Sequence, residues 1–250
     1  QKRLDMLLNR KNGSAIEYTS KEQKELLGFT TDLELLDRLT GACVTDVFFD
    51  DVYKAEAFEN LWSIVPEAKG KKIIFYMPQP RKRKNGGNWL ELLDLEELAK
   101  CLSGEYFVLV DFRSNNALAS TCKNVVDILG FSRNISKDRI SLRQAMVCAD
   151  VIIGDYRDTF FESVLLHKPV YSTAVDMENM QSESLNMMYD LESIYPFPIL
   201  NSADELVDAL RKVNEYDYKK QNVFKQKYLC GCDGNSAERL VEYVIDKSKY

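Results

Sequence analysis

The residues best placed to do chemistry lie between Gly154 and Thr159, where an apolar run ends and a helical pattern begins. This stretch is called the corner segment below. Backbone N–H groups at the start of a helix carry a partial positive charge and bind anions such as phosphate. Arg157 can hold two oxygens of one phosphate through its planar guanidinium. Asp158 works against a bound anion, because its carboxylate repels the same charge. The corner segment is therefore a candidate anion site with one favourable and one unfavourable side chain.

Two more arginines follow predicted strands. Arg81 comes after the apolar run over 72–77, and Arg113 comes after the one over 106–112. The carboxyl ends of parallel strands meet at one edge of a sheet, so we expect both guanidinium groups to face the same crevice as the corner segment. A solvated strand end is the alternative for each, because charged residues are mostly exposed. Arg157 also has an alternative, since it can pair with a neighbouring aspartate instead of a ligand.

A helix is predicted over 159–166, directly after the corner segment. Thr159 and Glu162 are three residues apart, the spacing of a capping box in which each side chain bonds a backbone N–H of the other residue. His167, the only histidine, follows at the carboxyl end of this helix, where a cation suits the helix dipole. We therefore assign His167 a structural role rather than a catalytic one. The aromatic pair Phe160–Phe161 is assigned to the core rather than to stacking on a base.

Short apolar runs alternate with amphipathic segments along most of the chain. Strands are predicted over 43–49, 72–77, 106–112, 151–153 and 170–173, and a weaker one over 197–200 that suits only an edge because Pro198 lacks an N–H. Helices are predicted over 52–62, 95–102, 120–129, 141–149, 159–166, 202–213 and 235–245. Capping boxes are expected at Ser141 with Gln144 and at Ser202 with Glu205. This alternation predicts an α/β fold with a Rossmann-like parallel sheet covered by helices on both faces.

The chain is predicted to have two parts. Residues 69–250 carry the alternating pattern and form the Rossmann-like domain. Residues 1–68 form a smaller N-terminal segment of helical and mixed character beside it. Because the chain opens with Gln1 rather than Met, we expect it to be a piece of a longer protein.

The bulk composition argues against several functions. A formal net charge of −6 disfavours nucleic acid as a general partner. The basic clusters at 81–84 and within 219–227 are expected to be solvated faces. Among the six cysteines, Cys230 and Cys232 form the only close pair, and without a second Cys or His pair they predict exposed thiols rather than a zinc site. No apolar run approaches the ~18 residues of a membrane helix. We expect no bound metal and a reducing, cytoplasmic compartment.

Several segments, in order along 72–213, resemble the motifs of one enzyme family. The strand and loop over 72–81 resemble that family's "ILYAPTWR". The segment 141–156 resembles "DISELLLIADVLITDY", the segment 160–170 resembles "FFDFALLNKPI", and 201–206 resembles "NTEEL". No single motif is decisive, but their common order makes the resemblance specific. The family that the chain resembles is the CDP-glycerol glycerophosphotransferases, the primases and polymerases of bacterial teichoic acids.

The resemblance implies a GT-B architecture, with this chain containing the C-terminal, nucleotide-binding half and residues 1–68 as the remnant of a first domain. It implies transfer of glycerol- or ribitol-phosphate from a CDP-activated donor to a hydroxyl of a lipid-linked, wall or capsular polymer acceptor. No cofactor is implied beyond the activated donor. The location implied is the cytoplasm, with peripheral contact at the inner face of the bacterial membrane through domains outside this chain. In related nucleotide-sugar folds the acidic residue at the position of Glu162 bonds a ribose hydroxyl.

The sequence departs from the family where the chemistry is expected. Two family serines that look suited to hold the donor phosphate are replaced by Arg157 and Asp158. The family's His-Pro after the second strand is replaced by Arg113-Ser114, and its "WHG" segment is absent from this chain. No catalytic residue is therefore assigned, and whether the chain is an active enzyme stays open at this point. The donor- and phosphate-binding candidates are Arg81, Arg113, Arg157, Asp158, Thr159 and Glu162.

Two other functions remain open on the sequence. The first is a binding module of the same fold with a decayed site, which the missing serines and histidines favour. The second is another enzyme on a similar scaffold, either a nucleotide-sugar glycosyltransferase or a polysaccharide pyruvyl transferase, since a fold alone does not separate these activities. The pyruvyl transferase expects an Arg-x-His at the corner, and the run Arg157-Asp158-Thr159 lacks it.

Overall fold

A computed structural model of the protein describes residues 41–78, 94–112, 126–154, 158–173 and 195–248. Arg81, Arg113 and Arg157 lie outside the described residues, so their predicted positions stay predictions. The chain divides into two compact units, one formed by Asp51–Phe224 and one formed by Gln1–Asp50 with Lys225–Tyr250. Each unit is described by itself.

Five parallel strands form the sheet of the larger unit. They are β1 (Lys72–Tyr76), β2 (Tyr106–Val110), β3 (Ser132–Asn134), β4 (Val151–Gly154) and β5 (Val170–Ser172), in the order β3-β2-β1-β4-β5. Every described neighbouring pair is parallel. β1, β2, β4 and β5 read as nearly continuous apolar runs because both faces of a parallel sheet are covered. The predicted α/β fold and four of its strands are confirmed.

The edges of the sheet are less regular than its centre. Ser172 forms a single parallel bridge with Ile199, so the segment predicted as a weak strand over 197–200 does lie at an edge. At the other edge, β3 was not predicted, because its sequence Ser-Arg-Asn carries no apolar signal. Ile128 forms an antiparallel bridge with Ser132, so the helix predicted over 120–129 ends before residue 128. Residues 120–125 of that helix lie outside the described ranges.

Seven α-helices are described, and they are α1 (Asp51–Ile64), α2 (Leu95–Leu102), α3 (Leu142–Cys148), α4 (Asp158–Glu162), α5 (Ala203–Arg211), α6 (Lys219–Tyr228) and α7 (Ser236–Ser248). The capping box at Ser141 and Gln144 is confirmed, with both reciprocal bonds present. At α5, Ser202 accepts from the N–H of Glu205 as predicted, but the Glu205 carboxylate accepts from the N–H of Asn201 instead of Ser202. α6 was not predicted, because its four lysines leave no apolar stripe.

The core lies between the sheet and its helices. On one side, buried residues of β1 and β2 pack with leucines of α2 and α5, including Ile74, Val108, Leu98 and Leu206. α1 packs against α3, and its buried residues are Ala57 and Leu61. Ala55 and Phe58, on the same helix, are exposed.

The two compact units do not meet at residue 68, the boundary that was predicted from the sequence. α1 joins the sheet unit because Asn60 Nδ2 donates to Gln144 Oε1 at 3.2 Å and Tyr53 Oη lies 3.1 Å from Ser141 Oγ. The smaller unit instead combines the start of the chain with its last helix. Asp46 accepts hydrogen bonds from the N–H groups of Ser236 and Ala237, at the start of α7.

The smaller unit also corrects two expectations. The strand predicted over 43–49 is a 3-10 helix, Cys43–Phe48, and its apolar residues Val44, Val47 and Phe48 follow a helical spacing rather than strict alternation. Cys232 is buried and accepts a hydrogen bond from the N–H of Ala42, so it is not the exposed thiol that was expected. Within the described ranges, no helix has the length and hydropathy needed to cross a bilayer.

Candidate functional site

The carboxyl ends of four strands meet at one edge of the sheet. The pairing continues past the strand ends, since Met77 donates its N–H to the carbonyl of Ile153 at 2.8 Å and Thr173 donates to Gly154 at 2.9 Å. Asp111, fully buried, follows β2 directly and donates its N–H to the carbonyl of Tyr76. No motif in the sequence marks this carboxyl group. Ligands of open α/β sheets bind at this edge, so the end of β4 and the start of α4 lie where a nucleotide is expected.

The corner depends on a close contact between β4 and α4. Phe160, in the first turn of α4, is fully buried, and a Cβ added to Gly154 would lie 2.5 Å from its ring. Only glycine therefore allows α4 to start so close to the end of β4. The ring of Phe160 lies 4.6 Å from that of Phe197, and Phe161 stacks on Phe224 at 5.5 Å. The predicted core role is confirmed for Phe160, whereas Phe161 is only partly buried within this aromatic cluster.

A second polar group lies beside this corner. The hydroxyls of Ser172 and Tyr195 are 2.6 Å apart, and both residues are buried. Thr173 Oγ1 donates to the carbonyl of Gly154 at 3.2 Å. These contacts tie the end of β5 to the end of β4 and to the chain at 195. No pattern in the sequence indicates these contacts, because Ser, Thr and Tyr occur in every class of surface and loop.

Glu162 forms an ion pair rather than a capping box. Its carboxylate accepts two hydrogen bonds from Arg143, Nε to Oε2 at 2.8 Å and Nη2 to Oε1 at 2.7 Å. α4 begins at Asp158, one residue before Thr159, so Thr159 is not the residue that precedes the helix. The capping-box interpretation is therefore wrong. A two-bond pair with an arginine is a stronger interaction for a carboxylate than one bond to a backbone N–H.

The helix predicted over 159–166 is two pieces. α4 ends at Glu162, and a 3-10 turn over Ser163–Leu166 follows. Ser163 is fully buried and donates its hydroxyl to the carbonyl of Phe160. His167 then ends the turn in the left-handed region, with φ 51°, and its exposed ring stacks on Tyr218 at 4.2 Å. His167 thus lies beyond α4 and the 3-10 turn, at the end away from the corner segment.

Lys168 binds the carboxyl end of α3. Its ammonium donates to the carbonyls of Met146, Val147 and Ala149. Carbonyls at the end of a helix have no hydrogen-bond partner within the helix itself. Burial lowers the pKa of Lys168 to about 8. Burial also raises the pKa of the Cys148 thiol to about 12, so this thiol stays protonated at neutral pH.

Two cavities lie away from the corner. One of about 250 Å³ is lined by Phe58, Trp62 and Lys168 and lies at the amino ends of β1 and β4. The other, of about 490 Å³, lies beside β3 and is lined by Arg133 and Asp138. Neither includes Thr159 or Glu162. Among the described residues, no group of His, Cys, Asp and Glu is arranged to hold a metal ion.

The sequence as a whole matches one protein family. A family model described as CDP-glycerol:poly(glycerophosphate) glycerophosphotransferase matches residues 38–246. The chain belongs to this family. The predicted family membership is therefore confirmed.

Individual relatives support the same family membership. The teichoic acid poly(ribitol-phosphate) polymerase of Bacillus spizizenii is 26% identical over 87% of this chain and 35% of its own length. The ribitol-phosphate polymerase TarL of Staphylococcus aureus is 29% identical over 82% of this chain and 36% of its own length. The solved wall teichoic acid polymerase TagF has the same fold, with a TM-score of 0.65 and 20% identity over 82% of this chain and 51% of that one. The chain thus spans about a third to a half of the length of these relatives.

Proposed function

We propose that this chain is the nucleotide-binding half of a transferase that moves glycerol- or ribitol-phosphate from a CDP-activated donor to a polymer of the bacterial wall or capsule. The observation that carries the proposal is the family match over residues 38–246. It is supported by relatives named as teichoic acid polymerases and primases. The parallel sheet, with its strand ends meeting beside the corner segment, is the kind of edge at which nucleotides bind.

The donor is proposed to lie along this edge with its diphosphate at the corner segment. In the transfer, an acceptor hydroxyl oxygen bonds to the phosphorus that carries the polyol, the bond from that phosphorus to the bridging oxygen breaks, and CMP leaves with the electron pair. A general base takes the hydroxyl proton, and cationic groups stabilise the charge that builds on the leaving phosphate. Arg81, Arg113 and Arg157 are the proposed cations, and Thr159 is a proposed hydroxyl donor.

Glu162 is proposed to accept a hydrogen bond from a ribose hydroxyl of the donor. Its side chain is 16% exposed, so a ligand can reach it. The activated donor supplies the reactive bond, so no further cofactor is proposed. The acceptor is proposed to be a lipid-linked or polymeric chain at the inner face of the membrane, with the protein in the cytoplasm.

The test is a calorimetric panel of CDP-glycerol, CDP-ribitol, CMP, UDP-N-acetylglucosamine and phosphoenolpyruvate. We expect the cytidine nucleotides to bind and the last two compounds to bind at least about tenfold more weakly, a difference of about 1.4 kcal/mol. Preference for the uridine sugar or for phosphoenolpyruvate would replace the proposal with the corresponding transferase. If no nucleotide binds at millimolar concentration, the donor site is decayed and the binding-module alternative follows.

A further inference from the structure

Arg143 sits in a place that its own helix disfavours. It is the second residue of α3, whose first turn carries no acidic side chain to balance it. A cation at the start of a helix opposes the helix dipole. Departures from such local preferences concentrate at functional sites. Glu162, where α4 meets the 3-10 turn Ser163–Leu166, supplies the charge that balances Arg143.

The two residues compensate each other through a rigid contact between helices. The guanidinium binds both carboxylate oxygens, at 2.7 and 2.8 Å, and the two side chains are only 28% and 16% exposed. This differs from the pairs Lys54–Asp51 and Arg211–Asp208, which join neighbours on one exposed helix surface. The fork geometry of an arginine fixes the plane of the carboxylate as well as its position.

A carboxylate held in this way keeps acceptor capacity. Each oxygen accepts two hydrogen bonds, and Arg143 uses one on each. The free lone pairs therefore point in directions set by the arginine. α4 is itself fixed by the buried ring of Phe160 against Gly154, so the carboxylate has little freedom along the helix either.

We infer that Arg143 is a positioning residue that holds the Glu162 carboxylate so that it accepts a hydrogen bond from a ribose hydroxyl of a cytidine nucleotide. The inference rests on the proposed function and adds to it a residue that does not itself touch the ligand. Lysine does not replace arginine in this role, because an ammonium binds as a point charge and leaves the plane of the carboxylate undefined.

The experiment compares CDP with 2′-deoxy-CDP and 3′-deoxy-CDP by calorimetry, using the chain as it stands. For the unchanged protein we expect CDP to bind roughly tenfold tighter than one of the two deoxy nucleotides, as a hydrogen bond to a charged group implies. In Arg143→Lys and in Glu162→Gln that preference falls below about twofold, while affinity for the deoxy nucleotide changes by less than about threefold. The control Arg211→Lys alters an exposed pair and keeps the full preference.

A variant in which the charges of Arg143 and Glu162 are exchanged separates their role in ligand positioning from their effect on the stability of the protein. Arg143→Glu combined with Glu162→Arg restores an ion pair between α3 and α4 but removes the carboxylate from position 162, so the ribose preference should be lost while the midpoint of thermal unfolding is retained. This variant also covers the case in which Arg143→Lys fails to fold.

Three results would overturn the inference. The first is an unchanged ribose preference in Arg143→Lys, which leaves the proposed function standing, or in the exchanged pair, which also contradicts the proposed contact of Glu162 with the ribose. The second is an equal loss of affinity for all three nucleotides, which is the result of a purely structural role. The third is the absence of binding by any of the three at millimolar concentration, which contradicts the proposed function as well.

Discussion

At the scale of single residues, the candidate site is defined by charges that conflict locally. Arg143 opposes the dipole of α3, and Glu162 balances its charge. Asp158 is the first residue of α4, and the sequence predicts that a carboxylate there repels the diphosphate of the proposed donor. The corner segment is therefore the place to test the donor site by substitution.

Asp158→Ser should strengthen the binding of CDP, and Arg157→Ala should weaken it. The first removes a like charge from the diphosphate and adds a hydroxyl whose hydrogen bond contributes about 0.5–1.5 kcal/mol. The second removes a two-bond phosphate ligand. Calorimetry on both variants measures the change, and Asp208→Ser, at an exposed carboxylate of α5, is the matched control. Unchanged nucleotide affinity in both variants would place the diphosphate away from the corner segment.

Lys168 predicts a pH dependence of stability. Burial lowers its pKa to about 8 in the folded protein, whereas an unfolded lysine has a pKa near ~10.4. Between these values the unfolded chain binds more protons than the folded one, so this residue's contribution to the free energy of unfolding rises with pH. The difference in unfolding free energy between the unchanged protein and Lys168→Met should therefore grow from pH 8 to pH 10 in urea titrations.

Comparing the unchanged protein with Lys168→Met removes the effect of titratable groups that both proteins contain. Cys148 acts in the opposite direction, because burial raises its pKa to about 12 and the folded state keeps its proton above pH 9. Both proteins contain this thiol, so its effect cancels in the difference. Lys212→Met, at the exposed end of α5, is the matched control. A flat profile for Lys168→Met would show that its ammonium is not desolvated.

At the scale of elements, the site is built by the close approach of α4 to β4. Gly154 permits this approach, and Phe160 fills the space that a side chain at 154 would need. The corner segment, the Glu162 carboxylate and the aromatic cluster around Phe197 all depend on this packing. A change at one backbone position should therefore alter both stability and ligand binding.

Gly154→Ala should lower the free energy of unfolding by about 1–3 kcal/mol, the usual effect of forcing a methyl group into a packed core. The added Cβ would meet the Phe160 ring at 2.5 Å, and the ring has no open space to enter because it is fully buried. Gly104→Ala is the matched control, since nothing lies within 4 Å of its added Cβ. Urea unfolding measures both, and equal stability of the two variants would contradict this account of the corner.

The sequence predicted the elements whose own residues determine them. β1, β2, β4 and β5 are nearly continuous apolar runs, so their positions could be predicted from the sequence. The position of β3 could not be predicted, because this polar edge strand is defined by its neighbour β2 and not by its own side chains. The helix over Cys43–Phe48 was mistaken for a strand because a segment of six residues is too short to show a clear helical period.

The candidate site, like the fold, could be predicted from the sequence only in part. Glu162 was placed on the correct helix, because an acidic residue at that distance from the corner follows from the family motif. Its partner Arg143 lies 19 residues earlier on α3, and only the packing of α3 beside α4 brings the two together. Glu162 forms this ion pair instead of the predicted capping box with Thr159, because two charge-assisted hydrogen bonds from Arg143 are stronger than one bond to a backbone N–H.

At the scale of the whole molecule, charge and length set the context for the site. The chain carries a net charge of −6. It spans about a third of the length of its ribitol-phosphate polymerase relatives. Its exposed lysines include Lys219 and Lys220 at the start of α6, with the exposed Val223 one turn further along. Such a surface supports a weak electrostatic contact rather than an anchor.

Binding to anionic vesicles should accordingly be weak and lost at high salt. Each exposed lysine near a charged bilayer contributes about 1 kcal/mol, and screening shortens the range of this attraction to ~3 Å at about 1 M salt. Sedimentation with phosphatidylglycerol vesicles at low and high salt measures the effect, with neutral phosphatidylcholine vesicles as the comparison. The double variant Lys219→Glu with Lys220→Glu should abolish the vesicle binding seen at low salt, because the two changes reverse the charge at the start of α6. Binding that persists at high salt would show instead that apolar surface of this chain enters the bilayer.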